Sequence, residues 1–263
     1  MMTAAAEPAR AQLAANAQYF ATAMDHAADA GAAAVARAIG GGWAEQSLMI
    51  GLANLSAAMD APALADRQWA RAGQIAQQRG DHAALGLILS GATQTTLSLG
   101  AYERCITLAD RLLELSRRRG DPVGEAVAEG VLGVVARRLG HLDEALRHAE
   151  RALELQRGAG NAAGAALVLG DLSVVYRDRG DFSRALDSGL EAVALREHSG
   201  DKLDNAYRNV ALLYREIEDA ATARTYFERA LDAAAKRGAP SAYATVVGSY
   251  ASFLNDAGES SRA

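Results

Sequence analysis

The chain has 263 residues, half of them hydrophobic but only 5 % aromatic, with four prolines, one cysteine and a net charge of −5. The negative balance speaks against nucleic-acid and anionic-membrane partners, which demand a positive surface, and the lone Cys105 rules out an internal disulfide framework. No apolar run is long enough for a membrane span or a secretory leader, so the expected compartment is the cytoplasm. Heavy use of Ala without alternating β-branched runs predicts an all-α fold.

In chain order, residues 1–42 are Ala-rich and helical in pattern, with Phe20, Met24, Val35 and Ile39 as larger apolar positions. They fit no later register and are expected to cap one end of a helical stack, because a terminal repeat must present a polar outer face. Gly40, Gly41 and Gly42 break the pattern before Trp43.

From Trp43 a self-similar unit recurs over about 43–80, 81–120, 121–160, 161–200, 201–238 and a truncated 239–263. Such a period marks a repeat architecture that grows along one dimension. It is clearest in 121–200, where Gly120, Gly140, Gly160, Gly180 and Gly200 each end a helical pattern. Glycine supplies the left-handed residue that closes a helix without a Cβ penalty. Asp121, Asn161 and Asp201 follow as N-caps, and Pro122 stands at a first helical position, where a missing N–H is harmless.

Asp60, Gly100, Gly140, Gly180, Glu218 and Gly258 share the turn inside each unit. The predicted helices are 43–58, 62–79, 82–98, 102–119, 122–138, 142–158, 162–178, 182–198, 202–217, 220–237 and 240–256. Each second helix carries a small residue just after its turn (Ala65, Cys105, Ala145, Ala185, Ala223, Ala263), and Ala72, Leu112, Ala152, Ala192 and Ala230 follow seven places later on the same face. Small side chains there let paired helices lie close together.

Ala263 falls on that small-residue position, so the sequence stops inside a helix that has barely begun. This predicts a fragment of a longer protein; a natural terminus with a frayed tail is the alternative. It also predicts an apolar face on helix 240–256, built from Tyr243, Val246, Val247, Tyr250 and Leu254, through which the chain self-associates.

A large apolar residue, Leu, a small residue and Tyr in the first helix, then Ala, an aromatic and Ala in the second, resemble the tetratricopeptide repeat family. In 201–238 the pattern falls on Tyr207, Val210, Ala211, Tyr214, Ala223, Phe227 and Ala230; in 121–160 it falls on Leu132, Gly133, Ala145, Ala149 and Ala152. The resemblance covers about 43–263. The chain departs from it in a longer period, in lacking the family's proline near the end of the unit, and in two poorly matching first repeats. It implies a right-handed αα superhelix, a solenoid of stacked helical hairpins whose first helices line a concave groove.

Catalytic chemistry is not expected. His26, His82, His141, His148 and His198 complete no convergent ligand set for a metal. Cys105 occupies a small buried slot, and no nucleophile elbow or phosphate loop occurs, so neither cofactor nor enzymatic activity is expected.

Mapped through the resemblance, the groove offers a neutral early zone with Ser47, Ile50, Asn54, Leu87, Ser90, Gly91 and Gln94. A later zone carries Arg137, Arg138, Arg177, Asn205, Arg208, Asn209 and Arg215, with Gly130 and Gly170 between. The candidate peptide- or protein-binding residues are Asn54, Gln94, Arg137, Arg177, Asn205, Arg208, Asn209 and Arg215. Arginine forks onto carboxylates and asparagine holds a peptide backbone by donating and accepting at once, a combination suited to an acidic or C-terminal segment. In the competing reading, Asp171, Asp178 and Glu216 lie at helical spacing and pair with these arginines within the chain.

The resemblance implies a non-catalytic regulatory module of a bacterial signalling protein, placed ahead of an output domain such as a diguanylate cyclase. A stand-alone scaffold and a peptide-pheromone receptor clamping its ligand with Asn54, Gln94, Asn205 and Asn209 are the alternatives.

Overall fold

The structure, a computed structural model, describes residues 42–58, 61–199, 203–238 and 240–256. Within them are eleven helices and no strand: α1 (Gly42–Ala58), α2 (Pro62–Gln78), α3 (His82–Ser98), α4 (Tyr102–Arg119), α5 (Pro122–Arg138), α6 (Leu142–Gly158), α7 (Ala162–Asp178), α8 (Phe182–Ser199), α9 (Leu203–Glu216), α10 (Ala220–Arg237) and α11 (Pro240–Asp256). These bounds match the predicted ones to within one residue. The expected N-terminal cap, Asp60, Gly200 and the turn at Gly258 lie outside the described residues.

The turns explain why the elements stop where they do. Gly80, Gly100, Gly120, Gly140, Gly160, Gly180 and Gly238 all have positive φ. At most of these turns the following residue reaches back to the helix, as in Asp81 N–H to Ala76 O, Asn161 N–H to Gln156 O and Asp181 N–H to Tyr176 O, each 2.9 Å. That backward bond satisfies a carbonyl the helix end leaves open. The same residue then caps the next helix: Asp81 accepts from Ala84 N–H at 3.0 Å, Asp121 from Gly124 N–H at 2.9 Å and Asn161 from Gly164 N–H at 3.0 Å.

Glu218 performs the same turn with φ 63°, the only non-glycine at positive φ among the described residues. A Cβ in that region costs roughly 1–2 kcal/mol, so Glu218→Gly is expected to raise the thermal midpoint by a few degrees. A midpoint at or below the parent value would show that the turn carries no such strain.

Two compact units divide at residues 131/132. In the first, Met49, Ala53, Trp69 and Ile88 centre one core, and Leu89, Leu112 and Ala128 centre a second. Gly91, expected on the groove surface, instead lies against Trp69, where an added Cβ would come within 2.4 Å of the indole ring. The Trp69 indole N–H donates to Thr95 Oγ1 at 3.1 Å, which fixes the ring over that glycine.

In the second unit the largest core joins α5 to α9 through Ala145, Leu169, Leu172, Val175, Ala185 and Leu213. Ala65, Cys105, Ala145, Ala185 and Ala223 are each 0 % exposed, so the small-residue column is the seam between paired helices. Burial raises the Cys105 thiol above its ordinary pKa, and its Sγ donates to Thr93 O at 3.4 Å. The protonated thiol is a packing group.

Helix α11 corrects one expectation. Val246 and Leu254 are buried, and Tyr250 stacks on Phe227 with ring centroids 5.2 Å apart. The helix packs on both α9 and α10, so only Tyr243 and Val247 of the expected apolar face remain exposed.

Candidate functional site

First helices of successive hairpins touch one another, α1 with α3 in the first unit and α7 with α9 and α9 with α11 in the second. Within each unit these first helices therefore share a face, and side chains at equal register positions form columns along it. In the first unit that face is mostly apolar. Leu87 and Val123 are exposed beside a recess of about 340 Å³, and Arg119 at its rim donates to His82 O at 2.9 Å. Asn54 on α1 and Gln94 on α3 are both exposed.

The columns change character in the second unit. Aligned on the turn that ends the helix, Asn205 takes the place of Leu87, Val127 and Leu167; Arg208 that of Ser90, Gly130 and Gly170; and Asn209 that of Gly91, Val131 and Asp171. A recess of about 380 Å³ opens there, with Gly170 and Asp171 of α7, Gly189 and Arg196 of α8, and Asn205, Arg208 and Asn209 of α9 on its walls. Gly170 leaves the approach clear, since nothing lies within 4 Å of where a Cβ would stand.

The predicted arginines divide. Asp178 Oδ2 takes Arg137 Nη1 at 3.0 Å and its Oδ1 takes Arg177 Nη2 at 2.9 Å. Arg215 donates to Glu216 Oε1 at 3.0 Å. Arg137–Asp178 joins α5 to α7, and the other two pairs link chain neighbours, so these arginines find partners within the chain though not at i,i+3 or i,i+4 spacing. Arg208 differs. It makes one long bond, Nη2 to Asn209 Oδ1 at 3.3 Å, while its Nε is buried with no partner. Loss of surrounding water pushes its guanidinium below its ordinary pKa; Asp204 opposes this and Arg177 adds to it. An arginine retains its charge regardless, so the recess holds a partly desolvated cation.

Three members of this neighbourhood were not among the predicted residues. Asp171 is half-buried, and burial pushes its carboxyl up to about 6 even though Arg137 and Arg196 pull it down. Arg196 belongs to a second helix, whose column otherwise holds Ala76, Ser116, Gln156 and Ala234. Arg237 Nη2, from the last turn of α10, donates to Asp204 Oδ2 at 2.9 Å, and Asp204 is 1 % exposed. One signal was available for Asp171 and Arg196, a charge in a column that is otherwise uncharged; Arg237 shares its column with Arg79 and Arg119 and gave none.

A sequence profile of the tetratricopeptide repeat matches residues 94–158, 124–198 and 167–236, more than half of the chain. The chain belongs to the tetratricopeptide repeat family. Among curated protein sequences none matches it. Several solved tetratricopeptide-like structures share its fold. A Rap protein complexed with the competence and sporulation factor superposes with a TM-score of 0.70 at 15 % identity, over 82 % of this chain and 67 % of that one. The apo quorum sensor NprR from B. thuringiensis gives 0.67 at 16 % identity, over 88 % and 65 %. BtubC from P. vanneervenii gives 0.54 at 19 % identity, over 74 % and 91 %. At these identities the likeness is one of fold. No described helix of this repeat array is long and apolar enough to cross a membrane.

Proposed function

We propose that this chain is a non-catalytic regulatory module of the cytoplasm whose repeat face binds a protein or peptide segment. The recess between α7 and α9 reads an acidic side chain or a terminal carboxylate. The observation that carries this reading is Arg208, a cation in an open recess with a buried, unpartnered Nε and with Asn205 and Asn209 beside it. A ligand carboxylate would satisfy that N–H, and the two asparagines offer donors and acceptors to a peptide backbone. Arg137, Arg177 and Arg215 would extend the contact within the second unit, and Asn54 and Gln94 would form a separate backbone contact on the first.

The shared fold with a Rap protein complexed with the competence and sporulation factor, and with the quorum sensor NprR, supports a signalling role. It equally favours the peptide-receptor version of the reading. The output regulated in this proposal is a domain such as a diguanylate cyclase.

Charge-assisted contacts contribute roughly 1.5–3 kcal/mol each, so Arg208→Ala is expected to weaken binding of a hexaglutamate peptide about tenfold or more. Arg118→Ala serves as control, because Arg118 pairs with Glu114 on the exposed side of α4. Fluorescence anisotropy beside thermal midpoints separates affinity from stability. An equal loss of affinity in both variants, or no binding to the parent protein, overturns the assignment.

A further inference from the structure

We propose that anion binding at the α7–α9 recess is coupled to proton uptake by Asp171, which lines the same recess as Arg208 and Arg196. The inference rests on the anionic-segment reading above and adds a means of control to it.

The geometry places the carboxylate on the recess wall together with Arg196 and Arg208. The charged groups around it are Arg177 and Asp178 on α7 itself, Arg137 from α5, Arg196 from α8, Arg208 with Asp204 from α9, and Arg237 from α10. Helix α6 also packs on α7, but its Glu150 and Asp143 are taken up by Tyr176 and Arg179. Asp178 is shared by Arg137 and Arg177, and Asp204 is held by Arg237. Asp171 is the carboxylate that lines the recess itself, and its attraction runs to Arg137 and Arg196.

A second anion entering this space repels a charged Asp171 and leaves a neutral one undisturbed. Burial already brings the carboxyl to about 6, within two units of neutrality, so a modest further push protonates it. The linkage is reciprocal: an anion that raises the proton affinity of Asp171 binds more tightly once that proton is on. Affinity therefore rises as pH falls through about 6, by up to about tenfold for each unit by which the bound anion shifts the carboxyl. The neutral carboxyl also becomes a donor, able to hydrogen-bond the anion that replaced its charge.

The test measures hexaglutamate affinity from pH 5.5 to 7.5 for the parent protein and for Asp171→Asn, whose ratio cancels the peptide's own titration. At pH 7.5 the variant is expected to bind about tenfold more tightly, and at pH 5.5 the two should converge to within about threefold. Carbon-13 NMR of the parent protein supplies an independent reading, since the Asp171 carboxyl midpoint should move upward when sulfate, which does not titrate in this range, is added. Parallel pH profiles, with the anion still bound and the carboxyl midpoint unmoved by sulfate, overturn the coupling and leave the anionic-segment reading standing. Failure of the parent protein to bind hexaglutamate at every pH removes both.

Discussion

Replacing Arg237 by Ala is expected to destabilise the second unit by about 3 kcal/mol, more than any loss from an exposed ion pair. Asp204 is 1 % exposed, its Oδ2 is held by Arg237 at 2.9 Å, and its Oδ1 is buried without a partner. Removing the guanidinium leaves a charged carboxylate in a dry place with half its hydrogen bonds already missing. The neighbouring Arg208 softens the loss, because its field also reaches Asp204, and for that reason the lower end of the range for broken buried pairs applies. The register offers a rescue. Asp204 stands in a column that otherwise holds Gly86, Ala126 and Ala166, so Asp204→Ala combined with Arg237→Ala should recover most of the stability. Urea unfolding of the two single variants and the double variant measures the coupling. A single Arg237→Ala that unfolds at the parent midpoint would show that Asp204 is stabilised without its partner.

Ala185→Arg should have an effect of similar or greater size, about 3–5 kcal/mol. Ala185 is 0 % exposed within the core that includes Ala145, Leu172 and Val175. A guanidinium at that seam must either lose its water without a partner or force α7 and α8 apart. Ser183→Arg, two residues earlier at an exposed position, is the matching control and should stay within about 0.5 kcal/mol of the parent. Circular dichroism melts of the two variants compare them directly. If both melt alike, the small-residue column is not the seam between the helices.

These two variants differ in how they were found. Ala185 was legible in the sequence because a packing requirement repeats with the chain: every hairpin needs a small residue where its second helix crosses its first, and the same spacing returns in each unit. The Asp204–Arg237 pair spans 33 residues and occurs in one unit, so no periodicity announces it. The same contrast holds at the candidate site. Arg208, Asn205 and Asn209 could be named from the register of a single helix, since the first helices supply the exposed face. Arg196 could not, because it reaches the recess from a second helix by the length of its side chain. Asp171 was read as a partner for arginines, and only its place on the recess wall shows a carboxyl that burial pushes upward.

The fate of helix α11 makes the point from the opposite direction. Its pattern showed an apolar stripe, but amphipathicity does not say which part of a stripe a neighbour covers. Packing on α9 and α10 buries Val246 and Leu254 and leaves Tyr243 and Val247 outside. Local signals, namely glycine at the turns, Asp or Asn at the caps and small residues at the seams, determined the helices, their ends and their pairing, because each acts within a few residues and recurs with the period. Which arginines are already paired within the chain, which carboxylates lie dry and which glycine lies beneath an indole ring were decided by tertiary structure alone. Those outcomes depend on distances between helices and on the exclusion of water, and no spacing along the chain encodes either.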